Sequence, residues 1–375
     1  KPNRVTFLTT TATLIWLECY LCELLAMAER ESKDMIFVTG AAGHIGNVLV
    51  RELTRRGYSV KALALPGEDL RPLADSKPEI VEANILDYPA LKAAMAGAEV
   101  VFHLASLVAL VPEQFELMQK VNVEGTANII KACFENGVKR LIYTSSIHAY
   151  GRPEKNLVIN ESLPFDPEIG GCGYDQTKAK ASILVLEAVK RGLNAVILAP
   201  TGVIGPYDFK RSEMGEMTNY WMKSTPTFSL DGAYDFVDVR DVVEAHISAI
   251  KNGQSGQAYL LPGYRVSVRE YRRLIQDACN TNSKEIYVPM KLARIFAPLA
   301  EWFYRITKTR PRFTRYSIDT LLSNSVVSGE KAAEVLGFHA RPLEETVRDS
   351  VEWWQANADT GKPSLRVAQG ARQGV

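Results

Sequence analysis

Tyr174 and Lys178 stand four residues apart in the run Tyr174-Asp-Gln-Thr-Lys178. If a helix passes through them, that spacing puts a phenol and an ammonium on one face. A positive charge beside a phenol favours the phenolate and brings its pKa toward the working pH. Such a tyrosine can protonate a carbonyl oxygen under reduction, or take the proton from an alcohol under oxidation. Taken alone, the pair reads equally as an ordinary surface contact. Upstream, Tyr143-Thr-Ser-Ser146 closes an expected strand. A hydroxyl there can hold a substrate oxygen against Tyr174, although Ser145 and Ser146 could also cap a turn.

These side chains need a scaffold, and the sequence around them alternates. Strands are expected at Ile36–Val38, Val60–Leu65, Glu79–Glu82, Val100–Leu104, Arg140–Thr144 and Ala195–Leu198. Helices are expected at Asn47–Arg56, Tyr88–Met95, Phe115–Asn136 and Gln176–Arg191. Strand and helix in alternation predict a doubly wound parallel sheet, an α/β Rossmann architecture. In such a sheet the carboxyl ends of the strands face the ligand. The first turn carries Gly40, Gly43 and Gly46, in Ile36-Phe-Val-Thr-Gly-Ala-Ala-Gly-His-Ile-Gly46. A glycine turn between strand and helix lets a pyrophosphate approach the helix N-terminus.

Beyond Pro206 the alternation stops. Residues 206–235 read as an irregular, aromatic-rich binding region, with Tyr207, Tyr220, Trp221, Phe228 and Tyr234. A strand is expected at Phe236–Val239 and a helix at Asp241–Lys251. The stretch 264–354 reads as mostly helical. There Leu292, Ile295, Phe296, Leu299, Trp302, Phe303 and Ile306 share one helical face, flanked by Lys291, Arg294, Arg305, Lys308, Arg310 and Arg312. A basic amphipathic helix can lie on a membrane, but the reading favoured here packs the stripe onto its own domain, with Pro298 kinking the helix. The division expected is an extension over 1–34, a dinucleotide-binding core over 35–205, a smaller, mostly helical substrate-binding region over 206–354 and a flexible tail over 355–375.

The 375 residues carry a net charge of +1, which gives no reason to expect nucleic acid or an anionic membrane as partner. Five cysteines at irregular spacing argue against a disulfide framework and for a reducing, cytoplasmic setting. Cys19 and Cys22 have the CxxC spacing without a second pair or a nearby His, so no metal site is expected. The apolar run Val5–Leu17 is too short and too soon followed by acids to span a bilayer comfortably. Met27 or Met35 is the expected start of the working protein.

Taken in order, the motifs resemble the extended short-chain dehydrogenase/reductases of the NAD-dependent epimerase/dehydratase superfamily. They are Thr39-Gly-Ala-Ala-Gly-His-Ile-Gly46, Asp87, His103-Leu-Ala-Ser106, Asn122-Val-Glu-Gly-Thr126, Thr144-Ser-Ser146 with Tyr150-Gly151, and Tyr174-x-x-x-Lys178. Gly202-Val-Ile-Gly-Pro206, Phe236-Val-Asp-Val-Arg-Asp241 and Ser328-Gly-Glu-Lys-Ala332 follow. The resemblance implies Ser146 as catalytic serine, Tyr174 as acid/base, Lys178 as its partner on the nicotinamide ribose, and Asn122 as support for a proton relay. It implies a nicotinamide dinucleotide held by Thr39, Gly40, Gly43, His44, Ile45 and Gly46. Ile85, Leu104, Ala105, Ser106, Pro200, Gly202 and Val203, together with Tyr174 and Lys178, complete that set. Substrate contacts are assigned to Ser146, His148, Tyr207 and Trp221. A homodimer through the helices after Glu113 and Tyr174 is a family-level expectation.

NAD and NADP both stay open. Relatives place Arg or Asp where Leu65 stands; Arg71 could reach a 2′-phosphate, and Glu68 or Asp69 a ribose diol. Asn84 stands where relatives carry an acid near the adenine. The segment Ala199-Pro-Thr-Gly202 lacks the Arg and Asn of nucleotide-sugar enzymes. It is similar to dihydroflavonol-reductase-like and 3β-hydroxysteroid-dehydrogenase-like members. The implied activity is an NAD(P)-dependent interconversion of a secondary alcohol and a ketone, or reduction of an aldehyde, on a small apolar substrate. Lys210 and Arg211 leave a nucleotide-sugar epimerase or dehydratase as the alternative, and a non-catalytic NAD(P)-binding sensor or scaffold as a second.

Overall fold

Apolar runs with no alternation are what a strand buried on both faces requires, and β1 (Met35–Thr39) is such a run: Ile36, Phe37 and Val38 are fully buried. The computed structural model describes residues 34–357, apart from 110–113, 152–156, 170–172, 224, 308–317, 319 and 322–325; the side chains of 298–306 also fall outside it. The expectations for residues 1–33 and for the tail beyond 357 therefore lie outside the described residues.

The chain continues through α1 (His44–Arg55), β2 (Ser59–Ala64), β3 (Glu79–Glu82), α2 (Tyr88–Ala94) and β4 (Val100–His103). Then come α3 (Phe115–Met118), a π-turn (Gln119–Glu124), α4 (Gly125–Glu135), β5 (Arg140–Thr144), α5 (Gly173–Lys190) and β6 (Ala195–Pro200). Beyond these lie β7 (Gly202–Ile204), α6 (Glu213–Trp221), β8 (Thr227–Leu230), β9 (Ala233–Asp238), α7 (Val239–Ser248) and β10 (Ala258–Leu261). The chain ends through β11 (Tyr264–Ser267), α8 (Val268–Ala278), β12 (Glu285–Val288), α9 (Met290–Thr307), α10 (Glu330–Leu336) and α11 (Leu343–Ala356).

Seven strands form one parallel sheet in the order β10-β6-β5-β4-β1-β2-β3. The chain winds outward from β1 to β3, then returns to β4 on the other side of β1. That reversal makes a crevice at the carboxyl ends of β1 and β4, the place where doubly wound sheets bind ligands. A core lies on each face: Leu49, Leu53, Val242 and Val243 with Ile36 and Val38 on one, Leu91, Ile129 and Val185 with Phe37 and Val101 on the other.

Two regions depart from the sequence reading. Residues 206–235 are not wholly irregular: they hold α6 and β8, and β8 pairs in parallel with β12. Ser212 caps α6 by accepting from Gly215 N at 3.0 Å. The second departure is α9, which continues past position 298. Its buried and partly buried residues Met290, Ala293 and Ala297 pack with Leu230 and Ile318, whereas Leu292, Ile295 and Phe296 are exposed. The described part of the stripe that was expected to pack inward, Leu292, Ile295 and Phe296, faces out, and the small residues Ala293 and Ala297 take the inner side against Leu230; the side chains of Leu299, Trp302, Phe303 and Ile306 lie outside the described residues. Among the described residues no helix is long and apolar enough to cross a membrane.

Candidate functional site

Gly40 has a left-handed φ of +67°, and a Cβ there would come within 2.7 Å of Ala105 N. Gly46 is tighter still: its Cβ would stand 2.1 Å from the Gly40 carbonyl oxygen. Only glycine at both points lets α1 begin this close to β1 and β4. Helix α1 has Gly43 at its N-cap, with no side-chain cap and no acid in its first turn, so its leading N–H groups and dipole suit an anion. The residues present fit a dinucleotide pyrophosphate. Sequence reasoning named His44 and Ile45 with this turn; the His44 ring bonds the Pro206 carbonyl through Nε2 at 3.0 Å, and Asn47 Nδ2 donates to Tyr207 O at 3.1 Å. The segment after β7 is thus fastened to the start of α1.

Along the same edge lie Leu104, Ala105 and Ser106. Thr39 Oγ1 accepts from Ala105 N at 3.1 Å and bonds His103 Nδ1 at 2.8 Å. The remaining His103 nitrogen meets Thr126 Oγ1 at 3.0 Å. His103 is buried and its pKa falls to about 3, first from desolvation and then from the Lys178 charge. It is a neutral tie between β1, β4 and α4.

Asn122 sits in the π-turn with all its hydrogen-bonding capacity used. Its Oδ1 accepts from Leu107 N at 2.7 Å and from Ser106 Oγ at 3.1 Å. Its Nδ2 donates to Leu107 O and to Thr177 Oγ1, both at 3.0 Å. It therefore joins the 104–107 segment to α5 at Thr177, between Tyr174 and Lys178. Ile85 underlies this region, leaving no space for a Cβ at Gly125.

Helix α5 begins at Gly173, and Tyr174 and Lys178 are one turn apart on it. Lys178 is buried, and its Nζ donates to the Thr144 carbonyl at 2.7 Å at the carboxyl end of β5. Burial lowers its pKa to about 7. Ser146 follows in the same strand end, and its Oγ accepts from His148 N at 3.2 Å. The helix packs against the turn that carries both residues. His148 then stands between two elements: its Nδ1 lies 3.6 Å from the buried Asp175, and its Nε2 bonds the Tyr234 hydroxyl at 2.8 Å. The His148 ring also meets Tyr174 edge-on at 6.2 Å and stacks on Tyr234 at 6.0 Å. Asp175 was not singled out for the site from the sequence, and Tyr234 was named only among the aromatics of the expected 206–235 binding region. Only the fold brings β9 to the head of α5.

Two substrate candidates fall elsewhere. Trp221 is buried against Tyr271 with its Nε1 donating to Phe228 O at 3.1 Å, so it is a core residue packed with Phe236, Ile275 and Val347. Tyr207, at φ +68°, lies under the Arg51 guanidinium at 5.0 Å and beside Trp353. Both are held by packing unrelated to Tyr174.

At the tip of β2, Leu65 is exposed and Glu68 curls back so that its Oε2 accepts from Leu65 N at 2.9 Å. Glu68 also pairs with Lys210. Arg71 is held by Asp69, with Nε 2.9 Å from Oδ2. Asn84 accepts from Leu86 N at 3.0 Å within its own turn. Arg211 pairs with Glu216 and covers Trp354. Pro200 ends β6 in the main sheet, whereas Gly202 and Val203 lie on β7, paired with β9.

Comparison with known proteins places this geometry in context. Residues 36–261, more than half of the chain, match the family model described as the NAD dependent epimerase/dehydratase family. Sterol demethylase protein B of Methylococcus capsulatus is 29% identical over 85% of this chain and 97% of that protein. The 3beta-hydroxysteroid-dehydrogenase/decarboxylase isoform 1 of Arabidopsis thaliana is 28% identical over 92% of this chain and 85% of its own length. Among solved structures, MoeE5 in complex with UDP-glucose and NAD superposes with a TM-score of 0.67 at 26% identity, covering 86% of this chain and 99% of that one.

Proposed function

We propose that this chain, which belongs to the NAD-dependent epimerase/dehydratase family, interconverts a secondary alcohol and a ketone on a small, largely apolar substrate, with NAD as hydride carrier. It is an oxidoreductase of the extended short-chain dehydrogenase/reductase type. When bound, the nicotinamide supplies or accepts the hydride. In this reading the Tyr174 hydroxyl gives the proton to the carbonyl oxygen in one direction and takes it in the other. Ser146 Oγ already accepts from His148 N, so its own O–H is the part left to donate to the substrate oxygen. The Lys178 ammonium favours the Tyr174 phenolate.

One observation carries the preference for an apolar substrate over a nucleotide sugar. Gly202 stands where nucleotide-sugar enzymes carry the Asn that contacts the sugar nucleotide. A Cβ at this position would meet the rings of Tyr234 and Phe236, each at 2.9 Å. The aromatic rings of β9 take that space. Lys210 and Arg211, the cations that could hold a diphosphate, are engaged by Glu68 and Glu216. The same Glu68 supports NAD over NADP, because a carboxylate at the tip of β2 accepts a ribose diol and repels a 2′-phosphate. The chain beyond residue 206 would then supply substrate specificity through β9 in place of Trp221 or Tyr207.

The test is a panel of ketosteroids and other apolar ketones, followed by the absorbance of the reduced cofactor with NADH and NADPH in parallel. Net consumption of NADH with an apolar ketone is expected. Conversion of a UDP- or dTDP-sugar without net cofactor change overturns the reading. Cofactor binding with no turnover across the panel favours a sensor or scaffold instead.

A further inference from the structure

The most exposed large apolar side chains of the smaller lobe are gathered on one stretch of chain. On α9, Leu292 is 46%, Ile295 68% and Phe296 57% exposed, against 2% for Ala297 on the opposite face. Strand β12, which leads directly into α9, adds Ile286 and Tyr287, and Ile286 is the cross-strand partner of Phe228, also exposed. Folded chains rarely leave so many large apolar groups together in water without a partner for them.

The charge around this face says what the partner is. Lys284, Lys291 and Arg294 are exposed beside it. Glu285, the acid between them in sequence, is paired with Arg269 at 2.9 Å, and Asp231 also borders the face. The Tyr287 hydroxyl donates to Asp231 and keeps its ring at the rim. By sequence, residues 284–297 hold three Lys and Arg against one Glu, in a chain whose total is one charge from neutral. An apolar face with a cationic border fits the boundary between acyl chains and anionic headgroups, with long cationic side chains reaching the phosphates. A second copy of the chain fits worse. A two-fold contact would set the same positive border against itself.

We propose that α9, with the β8–β12 edge, is a docking surface for an anionic lipid bilayer, on which the protein lies without crossing it. This goes beyond the redox reading and does not depend on it. The chain's modest net charge conceals the surface, because Lys284, Lys291 and Arg294 gather beside the apolar face.

Sedimentation of the full chain with sucrose-loaded vesicles tests the proposal. Phosphatidylcholine alone is compared with phosphatidylcholine containing about 30 mol% phosphatidylglycerol, where at least about tenfold stronger binding is expected, weakening as salt is raised. The double variant Ile295→Glu/Phe296→Glu replaces exposed residues and should keep its dinucleotide affinity. It is expected to lose vesicle binding. Equal sedimentation of wild type and variant overturns the proposal, as does wild type that ignores anionic vesicles. So does a wild-type dimer by light scattering that the variant converts to monomer, which makes the face a contact between copies.

Discussion

Lys178 carries the sharpest electrostatic conflict in the site, since its ammonium is wanted beside Tyr174 yet sits where burial lowers its pKa to about 7. The folded protein releases this proton near pH 7, whereas the unfolded chain holds it to the ordinary lysine value of 10.5. Below about pH 7 both states are protonated and the fold bears the full cost of a buried charge. Between pH 7 and 10.5 only the unfolded chain binds the proton, so stability rises with pH by up to about 1.4 kcal/mol per unit. Lys178→Met should flatten that rise by about one proton in urea unfolding at pH 7.5 and 9.5; unchanged slopes would refute the assignment. For catalysis, Tyr174→Phe should cut turnover by about a hundredfold or more while dinucleotide affinity is kept, and retained turnover would remove Tyr174 from the mechanism. At this scale the one-turn placement of Tyr174 and Lys178 was legible because spacing on one helix is local. The meeting of Asp175 and Tyr234 at His148 was not, since it joins α5 to β9. Aromatic richness misassigned Trp221, because a ring that lines a pocket and a ring that fills a core look the same in sequence.

The π-turn Gln119–Glu124 is the element on which the crevice depends. It inserts an extra residue between α3 and α4 and turns Asn122 toward Leu107 and Thr177. Leu107 N and O are both satisfied by the one amide group, which fixes its orientation. Asn122→Ala strips both partners at once and should cost about 1–3 kcal/mol in denaturant unfolding. It should also weaken dinucleotide binding, since the 104–107 segment borders the glycine turn. Asn122→Asp keeps the shape but sets an oxygen against Leu107 O, so it should be at least as damaging. Wild-type stability in the Asp variant would show that the amide is not the clasp. Strand and helix identities in residues 35–205 were legible because buried parallel strands read as continuous apolar runs. The short β8 was not, because its pairing with β12 is set by distant chain. For α9, periodicity fixed which residues share a face but not which way that face points. The direction came from the small residues Ala293 and Ala297 fitting against Leu230.

Across the whole molecule, one neutral histidine is locked into each helical layer of the sheet. His103 ties β1 and β4 to α4 through two threonine hydroxyls. On the opposite layer, His246 of α7 donates from Nδ1 to Val242 O at 2.7 Å, so its Nε2 accepts from Thr144 Oγ1 at 2.8 Å. Both are fully buried, and desolvation lowers their pKa values to about 3 and about 4. Above pH 6.5 neither state is protonated and the two residues have no pH effect. As pH falls below 6.5 the unfolded chain takes up protons that the fold refuses, so stability drops by about 1.4 kcal/mol per pH unit for each histidine. Down to pH 4 the pair removes roughly 7 kcal/mol, comparable with the whole stability of an ordinary domain. Buried Asp235, whose carboxyl is raised by desolvation, offsets part of this just above its usual range. Acid unfolding is therefore expected before the surface carboxylates titrate, with urea midpoints falling steadily from pH 7 through 5.5 to 4.5. His246→Gln, which can keep a contact to Thr144 without titrating, should reduce that slope by about one proton. A wild-type midpoint that stays level between pH 6.5 and 5 would show that neither histidine resists protonation, and that the two layers are held to the sheet without them.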